Sequence, residues 1–223
     1  MFALIPAAGH GSRMASPQPK QYAPLAGRPM LWHAIRAVCM PPVECVFLVL
    51  APGDQEFRRH DWRAFEHRLE PLYCGGASRR ESVHNGLMAA RGAIGDEWIL
   101  VHDAARPCLP EQDLRALIRE CEGDSVGGLL ALPADDTVKR GAGGRVVATE
   151  DRAQLWLAQT PQMFRAALLL QALRRAHGVV TDEAAAVEQL GLQPRLVPGS
   201  RENLKVTWPA DLAIAEAILA RRA

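Results

Sequence analysis

Four short apolar runs, spaced by segments of helical length, constrain this chain more than any other feature. They are "FALIP" (Phe2 to Pro6), "CVFLVLA" (Cys45 to Ala51), "EWILVHD" (Glu97 to Asp103) and "SVGGLLALP" (Ser125 to Pro133). None alternates apolar with polar residues, so each predicts a strand covered on both faces, as in a parallel sheet under helices. Helical patterns lie between them in "PMLWHAIRAVCM", "SRRESVHNGLMAARG" and "PEQDLRALIRECEG", the last with Pro110 at its entry and Gly123 at its exit. The alternation predicts an α/β fold: a single Rossmann-like three-layer domain with a mostly parallel sheet and ligands at the carboxyl ends of its strands.

One region departs from this rhythm. "DTVKRGAGGRVVATEDRAQLW" (residues 136–156) has a glycine-rich turn between two β-rich arms and predicts a protruding β-hairpin. An isolated hairpin is marginal in water, so this arm is expected to pack on something, with a second subunit as the candidate. Alternation then resumes: a helix around "TDEAAAVEQLG", a strand near "QPRLVPG" and a closing helix from Pro209. At 223 residues and 48% hydrophobic composition, the chain suits one core, so residues 1–223 are expected to form one domain. Lys and Arg total 26 against 25 Asp and Glu, which argues against a general nucleic-acid or membrane binder. The five cysteines form no C-x-x-C pair and read as reduced thiols. No run nears the roughly 18 apolar residues of a membrane span, and no signal-peptide pattern opens the chain. The expectation is a soluble, cytoplasmic protein.

The first strand runs into "PAAGHGSRMASPQPKQY" (Pro6 to Tyr22). A glycine turn after a strand can present backbone N–H groups to phosphate. A P-loop needs four residues between its glycines and then Lys-Ser/Thr, which are missing here. A dinucleotide site needs a third small residue where Met14 stands, and a ribose-binding acid much earlier than Asp54. A triphosphate fits better: Gly9 and Gly11 can cradle it and Arg13 and Lys20 can neutralise the reacting phosphoryl group, although this stretch alone equally suits a glycine turn with two solvated cations. Asp103, where "WILVHD" ends, has the place and chemistry of a Mg²⁺ ligand, or of a cap on the turn before "AARP". His102 beside it reads as structural.

With "GGASRRESVHNGL", "VHDAARP", "TPQMF", "TDEAAAVE" and "NLKVT" in this order, the chain resembles the 2-C-methyl-D-erythritol 4-phosphate cytidylyltransferase family of the non-mevalonate isoprenoid pathway. The resemblance spans essentially the whole chain. It implies a nucleotidyltransferase dependent on Mg²⁺ or another divalent cation, dimeric through the arm, that joins CTP to a polyol phosphate. Arg13, Lys20 and Lys205 are then the catalytic cations, with Lys205 read at a strand end. Pro6, Ala7, Ala8, Gly76 and Ser82 line the cytosine pocket. Asp103, Arg106, Thr137, Arg152, Thr160, Thr181 and Lys205 hold the acceptor, and Arg152, on the arm, serves its own site or, where the arm reaches across to a second subunit, the partner's. Ala77 departs from the acid that related sequences often carry after the two glycines.

The implied chemistry matches the residues. A phosphate monoester has a second pKa near 6, so it attacks the α-phosphorus of CTP without a general base. The obstacle is to bring two polyanions together, which calls for cations and positioning. Three other readings remain open from the residues: a sister enzyme using ribitol 5-phosphate, a dinucleotide-dependent oxidoreductase, and a non-catalytic nucleotide-binding module.

Overall fold

The computed structural model describes residues 1–9 and 19–222; Gly11 and Arg13 lie outside them. In chain order the elements begin with β1 (Phe2–Pro6), the short pair β2 (Pro24–Leu25) and β3 (Arg28–Pro29), α1 (Met30–Val38), β4 (Cys45–Val49) and β5 (Leu69–Leu72). Next come α2 (Arg79–Ala89), α3 (Arg91–Ile94), β6 (Trp98–Val101), α4 (Glu111–Cys121) and β7 (Gly127–Pro133). The chain continues through β8 (Lys139–Ala142), β9 (Arg145–Thr149), β10 (Trp156–Arg165) and α5 (Ala166–Arg175). It closes with α6 (Glu183–Glu188), β11 (Arg195–Pro198) and α7 (Pro209–Ala220).

The central sheet has seven strands in the order β11-β7-β10-β6-β1-β4-β5. Strand β1 pairs in parallel with both β4 and β6, β4 with β5, and β7 with β11. Only β10, antiparallel to both β6 and β7, runs against the rest. The apolar runs are explained by two separate cores. Ala3 and Ile5 of β1 face a core with Leu31 and Ile35 of α1 and Leu114 and Leu117 of α4. Leu4, between them, faces the opposite core with Val83 and Leu87 of α2, Leu169 of α5 and Val187 of α6. Both faces of the strand are therefore apolar, as a doubly covered sheet demands. A smaller third cluster joins Leu25 and Met30 to Ala105, Val206 and Ala215, seating α7 behind the segment that follows β6.

The predicted hairpin forms as β8 and β9, with Gly143 and Gly144 at its tip at φ +58° and +74°. Positive φ at both central residues is the geometry that makes glycine favourable in a tight hairpin turn. Its reach differs from the expectation, because Trp156 belongs to β10 and pairs with Pro133 of β7. Strand β10 and helix α5 are elements that the sequence reading did not identify. Lys205, expected at a strand end, sits in an irregular segment whose Val206 N–H donates to the Ala105 carbonyl of the neighbouring turn at 2.8 Å. No helix among the described residues is long and apolar enough to cross a membrane.

Phe164 anchors the antiparallel strand: it is fully buried, opposite Ile99 on one side and Gly127 on the other. Phe164→Ala should cost about 3–5 kcal/mol, the usual range for truncating a core phenylalanine. Urea unfolding measures it; a loss below about 1 kcal/mol would place the ring outside the core.

Candidate functional site

A cavity of about 470 Å³ opens at the carboxyl ends of β1, β5 and β6. Pro6, Ala7, Ala8 and Gly9 form one wall, Gly76, Ala77 and Ser82 another, and Lys20, Asp103 and Lys205 the charged end. These positions, expected at a nucleotide site, are thus gathered from five separate parts of the chain.

The two backbone walls meet because Gly75 has no side chain. A Cβ there would lie 2.3 Å from the Ala8 Cβ and 2.9 Å from the Leu50 carbonyl oxygen. Helix α2 begins immediately afterwards with a capping box: Ser78 Oγ accepts from Glu81 N–H, and Glu81 Oε2 accepts from Ser78 N–H. The same carboxylate accepts from Ala77 N–H, at 2.8 Å. Ser82 Oγ accepts from Gly76 N–H and donates to the Ser78 carbonyl. On the facing wall, Ala7 N–H donates to the Val49 carbonyl, and the Ala7 carbonyl accepts from Gln21 Nε2 at 2.6 Å. The two expected base-reading walls are rigid, and Gln21 is a buttress that the sequence reading missed.

Asp103 is the one acid among the described residues that line the cavity. Lys205 Nζ lies 2.8 Å from its Oδ2, Arg79 Nε lies 3.0 Å from its Oδ1, and Arg106 Nε is 3.9 Å from Oδ2. Burial alone would raise the carboxyl's pKa, but Arg79, Lys205 and Arg106 hold it well below the usual carboxylate range. Arg79 in turn forks onto Glu183, NH1 to Oε1 at 2.6 Å and NH2 to Oε2 at 3.0 Å. Burial pushes the Glu183 carboxyl up, with Arg79 opposing. Two carboxylates therefore face three guanidinium or ammonium groups, and Lys20 Nζ, donating to the Val206 carbonyl, brings a fourth cation to the same rim.

Behind the cavity a hydrogen-bonded chain fixes Asp103. Its N–H donates to Thr160 Oγ1 at 2.9 Å, and that hydroxyl lies 3.1 Å from His102 Nδ1. His102 Nε2 lies 3.0 Å from the Arg106 carbonyl. A carbonyl can only accept, so Nε2 carries the proton and Nδ1 accepts from Thr160. His102 is fully buried, and burial lowers its pKa to about 4. It is a neutral structural residue, as the sequence suggested.

Five expected acceptor ligands do not line the cavity. Thr160 is buried, with its hydroxyl held between Asp103 and His102. Arg106 is also buried, donating to the carbonyls of Asn203 and Ala158, and so braces the Lys205 segment from behind. Arg152, at the base of the arm, donates to the Asp135 carbonyl. Thr137 and Thr181 are exposed and do not line the cavity. Arg79 and Glu183 are the functional-site residues that sequence reasoning missed; the only signal was their place within "GGASRRESV" and "TDEAAAVE".

A family model described as 2-C-methyl-D-erythritol 4-phosphate cytidylyltransferase (IspD) matches residues 1–221. A protein of that name from Azoarcus sp. (strain BH72) is 55% identical over 224 residues, covering 99% of this chain and 94% of its own. One from Laribacter hongkongensis (strain HLHK9) is 56% identical over 221 residues, covering 98% and 95%. Among solved structures, a 4-diphosphocytidyl-2C-methyl-D-erythritol synthase aligns with a TM-score of 0.86 at 38% identity, over 98% of this chain and 97% of that one. The 2-C-methyl-D-erythritol 4-phosphate cytidylyltransferase of Thermus thermophilus aligns at 0.80 and 32% identity, over 99% and 98%.

The His102 assignment has a pH consequence. Its folded pKa lies below the ordinary value of 6.5, so the unfolded chain binds the extra proton first as pH falls. In chelator-containing buffer, stability should fall as pH drops from about 6.5 to about 4, by on the order of 3 kcal/mol, and His102→Gln should flatten that window. An equal slope in the variant would show that His102 charges in the folded protein.

Proposed function

The chain belongs to the 2-C-methyl-D-erythritol 4-phosphate cytidylyltransferase family, and from that premise we propose how its residues transfer a cytidylyl group from CTP to methylerythritol 4-phosphate. The products are CDP-methylerythritol and pyrophosphate. The observation that carries the reading is the charged end of the cavity, where a 45%-exposed lysine, Lys205, sits on a nearly buried aspartate between two rigid backbone walls. An incoming polyanion offers Lys205 a stronger partner and draws it off Asp103.

The substrate phosphate, already largely dianionic near neutral pH, attacks the α-phosphorus directly, and the α–β bridging oxygen leaves with pyrophosphate. Lys20 and Lys205 hold the triphosphate and the charge that develops on the leaving group; Arg13, outside the described residues, is assigned to the same task by resemblance. The walls at Ala7, Ala8 and Gly76 admit the flat cytosine, with Ser82 fixing the second wall through Gly76.

Mg²⁺ fits the residues present. No group of three or more His, Cys, Asp or Glu side chains among the described residues forms a metal cage, but Mg²⁺ commonly binds through one or two carboxylates plus substrate phosphates and water. Asp103 would hold it, and when bound it supplies charge neutralisation on the triphosphate. A shift of Lys205 from Asp103 to phosphate would open this carboxylate to the ion.

Arm residues support a homodimer. Val146 and Val147 of the arm are 65% and 62% exposed, and Leu157, just beyond it in β10, is 59% exposed, more apolar surface than a lone hairpin favours. A second copy covering this arm carries Arg152 with it, and Arg152 then serves the acceptor phosphate of the partner's site. An apolar-lined dimer of this kind works free in the cytoplasm, requiring neither membrane nor nucleic acid.

The test is pyrophosphate release with CTP and Mg²⁺, comparing methylerythritol 4-phosphate, ribitol 5-phosphate and no acceptor. Release should require methylerythritol 4-phosphate; a preference for ribitol phosphate would move the chain to the sister activity. Lys20→Ala should lower kcat by on the order of 10²-fold through lost charge stabilisation, and a loss under about threefold would remove Lys20 from the chemistry.

A further inference from the structure

The cavity wall contains one cation that the proposed chemistry leaves without a task. Arg79 opens α2 directly after the Ser78 cap and lines the cavity, yet three of its nitrogens are committed to protein carboxylates. Nε donates to Asp103 Oδ1, while NH1 and NH2 grip both oxygens of Glu183. Glu183 is 1% exposed at the start of α6, where Gln162 Oε1 accepts from Ala184 N–H and Asp182 Oδ1 accepts from Ala185 N–H. The buried carboxylate that holds Arg79 is thus carried on a helix turn bonded to β10 and to its own cap.

The two oxygens of Asp103 differ in consequence. Oδ1 is held by a bidentately anchored guanidinium, and Oδ2 by a half-exposed lysine on a flexible stem, with Arg106 Nε more distant at 3.9 Å. An arginine lining an anion cavity without such an anchor would swing onto the phosphates and leave Asp103 free to rotate. We infer that Arg79 and Glu183 form a positioning pair that fixes Asp103 by one oxygen, leaves the other exchangeable, and sets the nucleotide-side helix α2 against the acceptor-side segment 181–188. This rests on the proposed cytidylyl transfer. A buried ion pair with a purely structural role would instead affect folding or nucleotide binding alone.

Two full-length variants separate these roles. Arg79→Lys keeps the charge but cannot bridge two carboxylates with a rigid fork. The double variant Arg79→Gln with Glu183→Gln removes both charges together, so no unpaired buried charge remains. Each is compared with wild type for kcat, half-saturating Mg²⁺, metal-free CTP affinity by calorimetry and melting temperature. The pair predicts folded proteins that bind CTP within about threefold of wild type, lose kcat by on the order of 10- to 100-fold and need more Mg²⁺, as expected when a reacting group is misplaced by a fraction of an ångström. A folded variant with kcat within about threefold of wild type overturns the inference. So does a loss that merely tracks CTP affinity or the folded fraction. Silence of the wild type in the same assay would instead bring down the reading on which the inference rests.

Discussion

The Asp103 carboxylate, nearly buried at the end of β6, gathers Arg79 from α2, Lys205 from the segment before α7 and Arg106 from its own turn. Three cations around one buried anion would be unfavourable if any were left without a partner, because removing one member of a buried pair typically costs about 3–5 kcal/mol. Each has one. Glu183 neutralises Arg79, main-chain carbonyls accept from NH1 and NH2 of Arg106 while its Nε faces Asp103 Oδ2 at 3.9 Å, and Lys205 remains in reach of solvent. The cavity's charge surplus is thus held in place before any ligand arrives, so that little reorganisation accompanies the reaction.

That arrangement depends on the one antiparallel strand. Strand β10 passes between β6 and β7 and delivers Thr160 beneath Asp103, Gln162 beneath the start of α6, and the Thr160 carbonyl to Asn203. Asn203 in turn offers its carbonyl to Arg106, which closes a circuit joining β6, β10 and the Lys205 segment. His102 completes the circuit as a neutral imidazole with both nitrogens satisfied. Among the described residues, the circuit leaves Arg106 Nε and Asn203 Oδ1 without hydrogen bonds, and it places its movable cation, Lys205, at the solvent edge.

The doubly covered strands were legible in the sequence because β1, β4, β6 and β7 have apolar residues on both faces. Strand β10 was not, since Gln159, Thr160 and Gln162 interrupt its apolar pattern; each is buried, but each bonds to a partner far along the chain. Helix α5 carried its Leu169, Ala172 and Leu173 stripe in plain view, although no capping side chain marks its start. Asp103 and Lys20 could be read from local context, a strand end and a glycine turn. Arg79 and Glu183 could not, because 104 residues separate them and only the fold shows that their side chains meet. Arg106 and Thr160 show the converse: polar residues inside a site motif look like ligands, while the structure uses them to hold the ligand-bearing turn.

The central claim is that Lys205 and Asp103 are an exchangeable pair, parted by CTP while Arg79 stays fixed. Crystals grown with CTP and Mn²⁺, measured for anomalous scattering, test this most directly. The account predicts an anomalous peak bonded to Asp103, Lys205 moved onto the triphosphate and the Arg79–Glu183 fork unchanged. A metal bound away from Asp103, with Lys205 still paired to the carboxylate, would contradict it.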